Sequence, residues 1–125
     1  MLDSSDLVAF LATADAGRAR QFYEGILGLP LVSDDPFALV FDAHGVELRL
    51  TKVAQPVVAP YTVLGWKVTD IASAAAALAG RGVAFERYEG LEQDAQGIWR
   101  SPGGGRVAWF KDPDGHTLSL TQAES

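Results

Sequence analysis

The order of structural signals along this chain runs twice, and a repeat of that kind leaves few folds open. Asp15 and Asp70 stand 55 residues apart, and each follows a short apolar run and opens a stretch with helical spacing. In the first half, Leu7–Ala12 reads as a mostly buried strand and Asp15 as an N-cap. Ala19, Phe22, Tyr23, Ile26 and Leu27 then form the apolar stripe of a helix, with Arg18, Arg20, Gln21 and Glu24 covering the rest. Gly28 is placed to stop that helix, and Pro30 prevents its continuation. In the second half, Tyr61–Val68 reads as a strand, Thr69 or Asp70 as a cap, and Ile71, Ala74, Ala75 and Leu78 as the stripe of a second helix. Its alanines favour helix and allow close packing on a sheet, and Gly80–Arg81–Gly82 ends it.

Each helix is followed by several extended segments. After the first come Leu31–Ser33, Phe37–Asp42 and Val46–Thr51, with Asp34–Asp35–Pro36 as a turn and Ala43–His44–Gly45 as a tight connection predicting a hairpin. After the second come Val83–Arg87, the polar loop Tyr88–Gly97, and Ile98–Arg100. Arg106–Lys111 and Thr117–Thr121 follow, entered through Pro102–Gly103–Gly104–Gly105 and joined by Asp112–Pro113–Asp114–Gly115. The expected fold class is α+β: paired βαβββ modules with mainly antiparallel curled sheets, a helix covering each. The expected organisation is one domain over 1–125, with module one at about 5–53, a linker with two prolines at about 54–60 and module two at about 61–122. A helix on one side of each sheet leaves two uncovered concave faces, free to close on each other or on a partner chain.

Composition narrows the function classes. The 125 residues are 48% hydrophobic, enough for one domain with a real core and too apolar for a disordered chain. There is no Cys, which excludes disulfides, thiolate catalysis and Cys-ligated metal centres. A net charge of −6 and a pI near 4.7 argue against nucleic acid as a partner, since no basic patch offsets them. No apolar run approaches a membrane span and the N-terminus is acidic rather than basic, so a cytoplasmic protein without a membrane partner is expected.

Several residues together carry a family pattern. Asp15, Phe22–Tyr23, Leu27–Gly28–Leu29 and the DPDG at Asp112–Gly115, set in the strings TADAGRARQFYEGILGLPLV and WFKDPDGHTLSLTQ, make the chain resemble the glyoxalase/bleomycin-resistance/extradiol-dioxygenase superfamily over about Leu7 to Thr121. These are also called vicinal oxygen chelate proteins. The resemblance implies paired βαβββ modules, commonly in a homodimer. Their functions range over isomerases, dioxygenases, epimerases, thiol transferases and drug-binding proteins. It also implies a divalent metal held from four strand positions, which fall here on Val8, Val63, Ser119 and Arg49, or on Glu47 if the register slips by two. Two valines cannot coordinate a cation, Arg49 would repel one, and Ser119 is a poor ligand alone. No metal or other cofactor is therefore expected. His44 and His116 adjoin turn glycines and are expected to face solvent.

Alternation along the strands gives the expected lining of the open faces. Taking the implied ligand positions as reference, Val8, Phe10, Ala12, Val63, Gly65, Lys67, Glu47, Arg49, Thr117, Ser119 and Thr121 point inward. In the strand before DPDG, one side is Arg106, Ala108 and Phe110 and the other is Val107, Trp109 and Lys111; Phe110 is taken as the inward residue. The candidate ligand-binding residues are thus Phe10, Glu47, Arg49, Lys67, Trp99, Phe110 and Ser119. Tyr88, Glu92 and Gln93 join them from the polar loop, where ligand selectivity often resides. Glu47 and Arg49 are either a structural pair at a wet rim or a site for a carboxylate or phenolate, and Trp99 either meets a ligand or caps the core.

Other constellations fail. Gly103–Gly105 lacks the Lys and Ser/Thr of a phosphate loop, no Ser sits in a nucleophile elbow, and Glu86, Glu89 and Glu92 lie on a strand and loop that would not hold a carboxylate pair. The expected function is metal-independent binding of a small amphipathic molecule, for resistance or sequestration. An enzyme of the same fold with Glu47 as base and Arg49 stabilising negative charge is one alternative. A structural or regulatory dimerisation module is the other.

Overall fold

A computed structural model of the chain describes residues 1–123. The chain divides into two compact units, Met1–Val57 and Val58 onward, and the division falls inside the proline-bearing stretch 54–60.

The first unit begins with a short 3₁₀ turn at Leu2–Ser4 and continues as β1 (Val8–Thr13), α1 (Ala16–Arg20), β2 (Leu31–Asp34), β3 (Ala38–Ala43) and β4 (Val46–Lys52). The Asp15 carboxylate accepts the Arg18 N–H at 3.1 Å, satisfying one of the free donors at the start of α1. Beyond Arg20 the helix widens into a π-helical stretch, Gln21–Ile26, with the Leu27 N–H donating to the Phe22 carbonyl. Helical spacing predicts an ordinary α-helix here; the widened turn seats the adjacent Phe22 and Tyr23 both in the core. Their rings meet edge-on at 5.1 Å, and Tyr23 lies 5.7 Å from Phe41. Gly28, at φ 77, ends the helix, and the Leu29 N–H closes back to the Tyr23 carbonyl. The sheet runs β1-β4-β3-β2, with β1 parallel to β4 and the other pairs antiparallel. Leu48 and Leu50 on β4, with Leu39 and Phe41 on β3, are fully buried on the helix side. The β3–β4 connection holds His44 at φ 52 and Gly45 at φ 90, as a two-residue hairpin turn of right-handed twist requires, and His44 is exposed.

The second unit repeats this plan with β5 (Thr62–Lys67), α2 (Ile71–Gly80), β6 (Trp99–Arg100), β7 (Arg106–Lys111) and β8 (Thr117–Gln122). Asp70 caps α2 by accepting from the Ser73 N–H at 3.1 Å and its hydroxyl at 2.9 Å, and those bonds hold its carboxyl below the usual range. Gly82, at φ 95, terminates α2, with the Val83 N–H reaching back to the Leu78 carbonyl. The Gln122 side chain accepts from the Ile71 N–H at 2.8 Å, tying the helix start to β8. The sheet runs β5-β8-β7-β6, again with one parallel pair, β5 and β8. Ala108, Phe110, Leu118 and Leu120 pack towards Ile71 and Ala75 as the core of this unit.

Two expectations need correction. Val83–Arg87 does not form a strand: β6 occupies the edge of β7 at Arg106 and Val107, which leaves this segment one ladder bond, from the Glu86 N–H to the Trp109 carbonyl. The second is His116, which does not face solvent. It is 4% exposed, because the DPDG turn folds inward around Asp112, whose carboxylate accepts from the N–H groups of Asp114 and His116. Among the described residues, no helix is long and apolar enough to cross a membrane.

Candidate functional site

In each unit the helix covers one side of the sheet, and residue parity decides what the other side presents. On the first sheet, β1 and β4 set Val8 beside Glu47, Phe10 beside Arg49 and Ala12 beside Thr51; β3 adds Asp42 next to Glu47 and Val40 next to Arg49. Leu48 and Leu50 take the opposite parity and are buried, so the Glu47–Arg49 side is the uncovered one. Phe10 is 65% exposed there, unusual for a large aromatic in a strand. Arg49 Nη1 lies 3.4 Å from Glu47 Oε2, with side chains 34% and 46% exposed. The pair is therefore open to water and to any ligand that displaces water from it. A recess of about 490 Å3 opens at one end of this face, lined by Asp6, Leu7, Val8, Val32, Val40, Phe41, Asp42, Gly45 and Glu47.

On the second sheet, β7 and β8 set Trp109 beside Ser119, Val107 beside Thr121 and Lys111 beside Thr117. Ser119 continues to Gly65 on β5, and Thr121 to Lys67. Phe110 pairs with Leu118 on the helix side, where it is 0% exposed and 5.6 Å from the Phe85 ring. The expectation that Phe110 lines the open face is thus corrected; its neighbour Trp109 does so. Trp109 anchors an aromatic row, with Tyr88 edge-on at 5.3 Å and Trp99 tilted at 6.0 Å. Burial, and then the nearby Glu86 charge, push the Tyr88 hydroxyl above its ordinary value. Glu86 itself lies 3.8 Å from the Lys111 ammonium. Gly65 lets the strands approach closely, since a Cβ there would sit 2.6 Å from Ser119 Oγ. Ser119 is only 6% exposed.

The loop candidates divide. Gln93 is spent on the backbone: Oε1 accepts from the Tyr88 N–H at 2.7 Å, and Nε2 donates to the Glu86 and Gly97 carbonyls at 2.8 Å each. The Arg87 guanidinium adds bonds to the Gln93 and Asp94 carbonyls. These bonds replace the missing ladder and set Tyr88 against Trp109. Glu92 turns away, into a recess of about 410 Å3 beside α2 with Ala72 and Arg106.

The fold and these two faces can be set beside known proteins. A family model described as the Glyoxalase/Bleomycin resistance protein/Dioxygenase superfamily matches residues 6–120. The chain belongs to that superfamily. Among solved structures, the antibiotic-binding protein TnmS3 from Streptomyces sp. CB03234 is similar at 25% identity and a TM-score of 0.75, over 99% of both chains. A superfamily member from Sphaerobacter thermophilus DSM 20745 is similar at 24% identity and a TM-score of 0.75, over 98% of this chain and 99% of that one. A lactoylglutathione lyase from Agrobacterium tumefaciens, at 16% identity and a TM-score of 0.73 over 95% and 93%, shares the fold. No curated protein sequence matches the chain.

Within the superfamily plan, the donor set does not fit a divalent metal. Val8 and Val63, at equivalent places in the two units, are each 37% exposed and offer only methyl groups. Arg49 brings a positive charge, and Ser119 is buried against Gly65. Among the described residues, no three His, Cys, Asp or Glu side chains gather as a metal-binding group.

Proposed function

We propose that this superfamily member binds a small amphipathic organic molecule on its uncovered sheet faces without a metal, in a resistance or sequestration role. The observation that carries the reading is the aromatic row Tyr88–Trp109–Trp99 on a face whose implied ligand positions hold Val63 and Ser119. Aromatic surface with a few placed polar groups is what such a site needs. The likeness to an antibiotic-binding protein over nearly the whole of both chains agrees with it.

The test is a calorimetric screen of amphipathic small molecules on chelator-treated protein, with metal content measured on protein purified without chelator or tag. Stoichiometric binding that survives chelation, with far less than one divalent ion per chain, is the expected result. One ion per chain, or binding that returns only with added metal, would overturn it. The half-exposed Glu47–Arg49 pair, with Glu47 lining the first recess, favours the enzymatic reading next. Turnover of a bound compound, abolished by Glu47→Gln with binding retained, would establish that reading instead.

A further inference from the structure

The second sheet's open face has a more specific shape than a general apolar surface, and we infer that it takes planar aromatic anions, a carboxylate on a fused-ring system being the simplest. This inference rests on the binding reading above and names its ligand class. Its floor is flat because Gly65 has no side chain and Ser119 Oγ fills the space a Cβ would need. Its wall is aromatic: Trp109, directly across β8 from Gly65, is held between Tyr88 and Trp99. Two strand spacings, about 10 Å, separate Gly65 from Trp109, enough for two fused rings lying against the wall.

The charge preference comes from what is already neutralised. Glu86 is matched by Lys111, whereas Lys67, one register step along from Gly65 on the same face, has no carboxylate partner within 4.0 Å among the described residues. It is exposed and stands beside Thr121. A ring stacked on Trp109 with its carboxylate turned towards Lys67 satisfies both; a cationic ring would meet Lys67 instead of a free acid.

The probes are 2-naphthoate and its neutral isostere 2-naphthamide, titrated calorimetrically into the intact protein. 2-Naphthoate is expected to bind about tenfold more tightly, the size of one charge-assisted contact, with the advantage shrinking as salt rises. Lys67→Gln should remove the advantage and leave 2-naphthamide unchanged, and Trp109→Leu should weaken both about tenfold or more. Lys67 is exposed, so its loss should leave the circular dichroism and melting curve of the protein unaltered. Equal affinity for the two probes, an advantage that survives Lys67→Gln, or no binding of either probe would overturn the inference. If other molecules from the calorimetric screen bind while these fail, the ligand class falls and the binding reading stands; if none binds, both fall.

Discussion

The two units share a frame down to its details and differ in what they place on it. Both caps are aspartates accepting an N–H three residues on at 3.1 Å, both helices end at a positive-φ glycine, and both sheets hold one parallel pair in the same strand order. On the first sheet, however, the uncovered face carries an ion pair flanked by a protruding Phe10, while on the second it carries three aromatic rings, two strands across from a glycine. The edges differ as well. The first sheet's edge strand β2 pairs with β3 at three positions, whereas β6 pairs with β7 at only two, and the segment after α2 keeps one backbone bond and is stitched by Gln93 and Arg87 instead. The buried parity maintains the fold and tolerates little change; the opposite parity and the edge are where two copies of one plan diverge in chemistry.

The largest expected effect tests that division by parity with two adjacent residues. Phe110→Ala empties a fully buried site and should cost about 3–5 kcal/mol in urea denaturation, without specifically affecting ligands. Trp109→Ala should cost clearly less stability and abolish binding of aromatic ligands. Equal destabilisation, with binding lost only in the Phe110 variant, would reverse the assignment of faces.

That assignment was the part the sequence did not resolve. The repeat, the Asp15 cap, both stops and the boundaries of β7 could be read from local chemistry, and the second cap was narrowed to Thr69 or Asp70, because a cap or a positive-φ glycine acts within a few residues. Whether Trp109 or Phe110 faces outward depends on the parity of the connection between β7 and β8. Lys111 pairs with Thr117, so the loop holds five residues, Asp112–His116, and Trp109 falls opposite Ser119. A four-residue loop would have placed Ala108 there and Phe110 outward, and DPDG is compatible with both lengths. The role of Gln93 was hidden for a different reason: its partners, Tyr88, Glu86 and Gly97, are backbone groups that leave no signature in residue type. His116 misled similarly, since a histidine beside a turn glycine looks exposed unless the turn is known to fold inward.

A smaller effect should follow from removing the stitch. Gln93→Ala leaves two carbonyls and one N–H without their partner, and the two carbonyl bonds are partly buried, so about 1–3 kcal/mol of stability should be lost. Faster hydrogen exchange at the Tyr88 amide should accompany it. The edge of the first unit is held by the β2–β3 ladder itself, so exchange at β2 should stay unchanged. Loosening spread through both units would show that the edge difference is not local.

The smallest expected effect lies in the ion pair of the first face, and it separates a binding site from a structural brace. Arg49→Ala breaks the 3.4 Å contact with Glu47, but both side chains are well exposed, where such pairs contribute only about 0.2–1 kcal/mol. Denaturation should therefore scarcely change, and the remaining Glu47 carboxylate has water to solvate it. Any ligand whose anionic group meets this face should nonetheless bind more weakly to the variant, because a guanidinium offers directed donors that water does not. A large loss of stability without a ligand effect would make the pair part of the frame after all. The first unit would then be the scaffold and the aromatic face of the second the sole seat of binding.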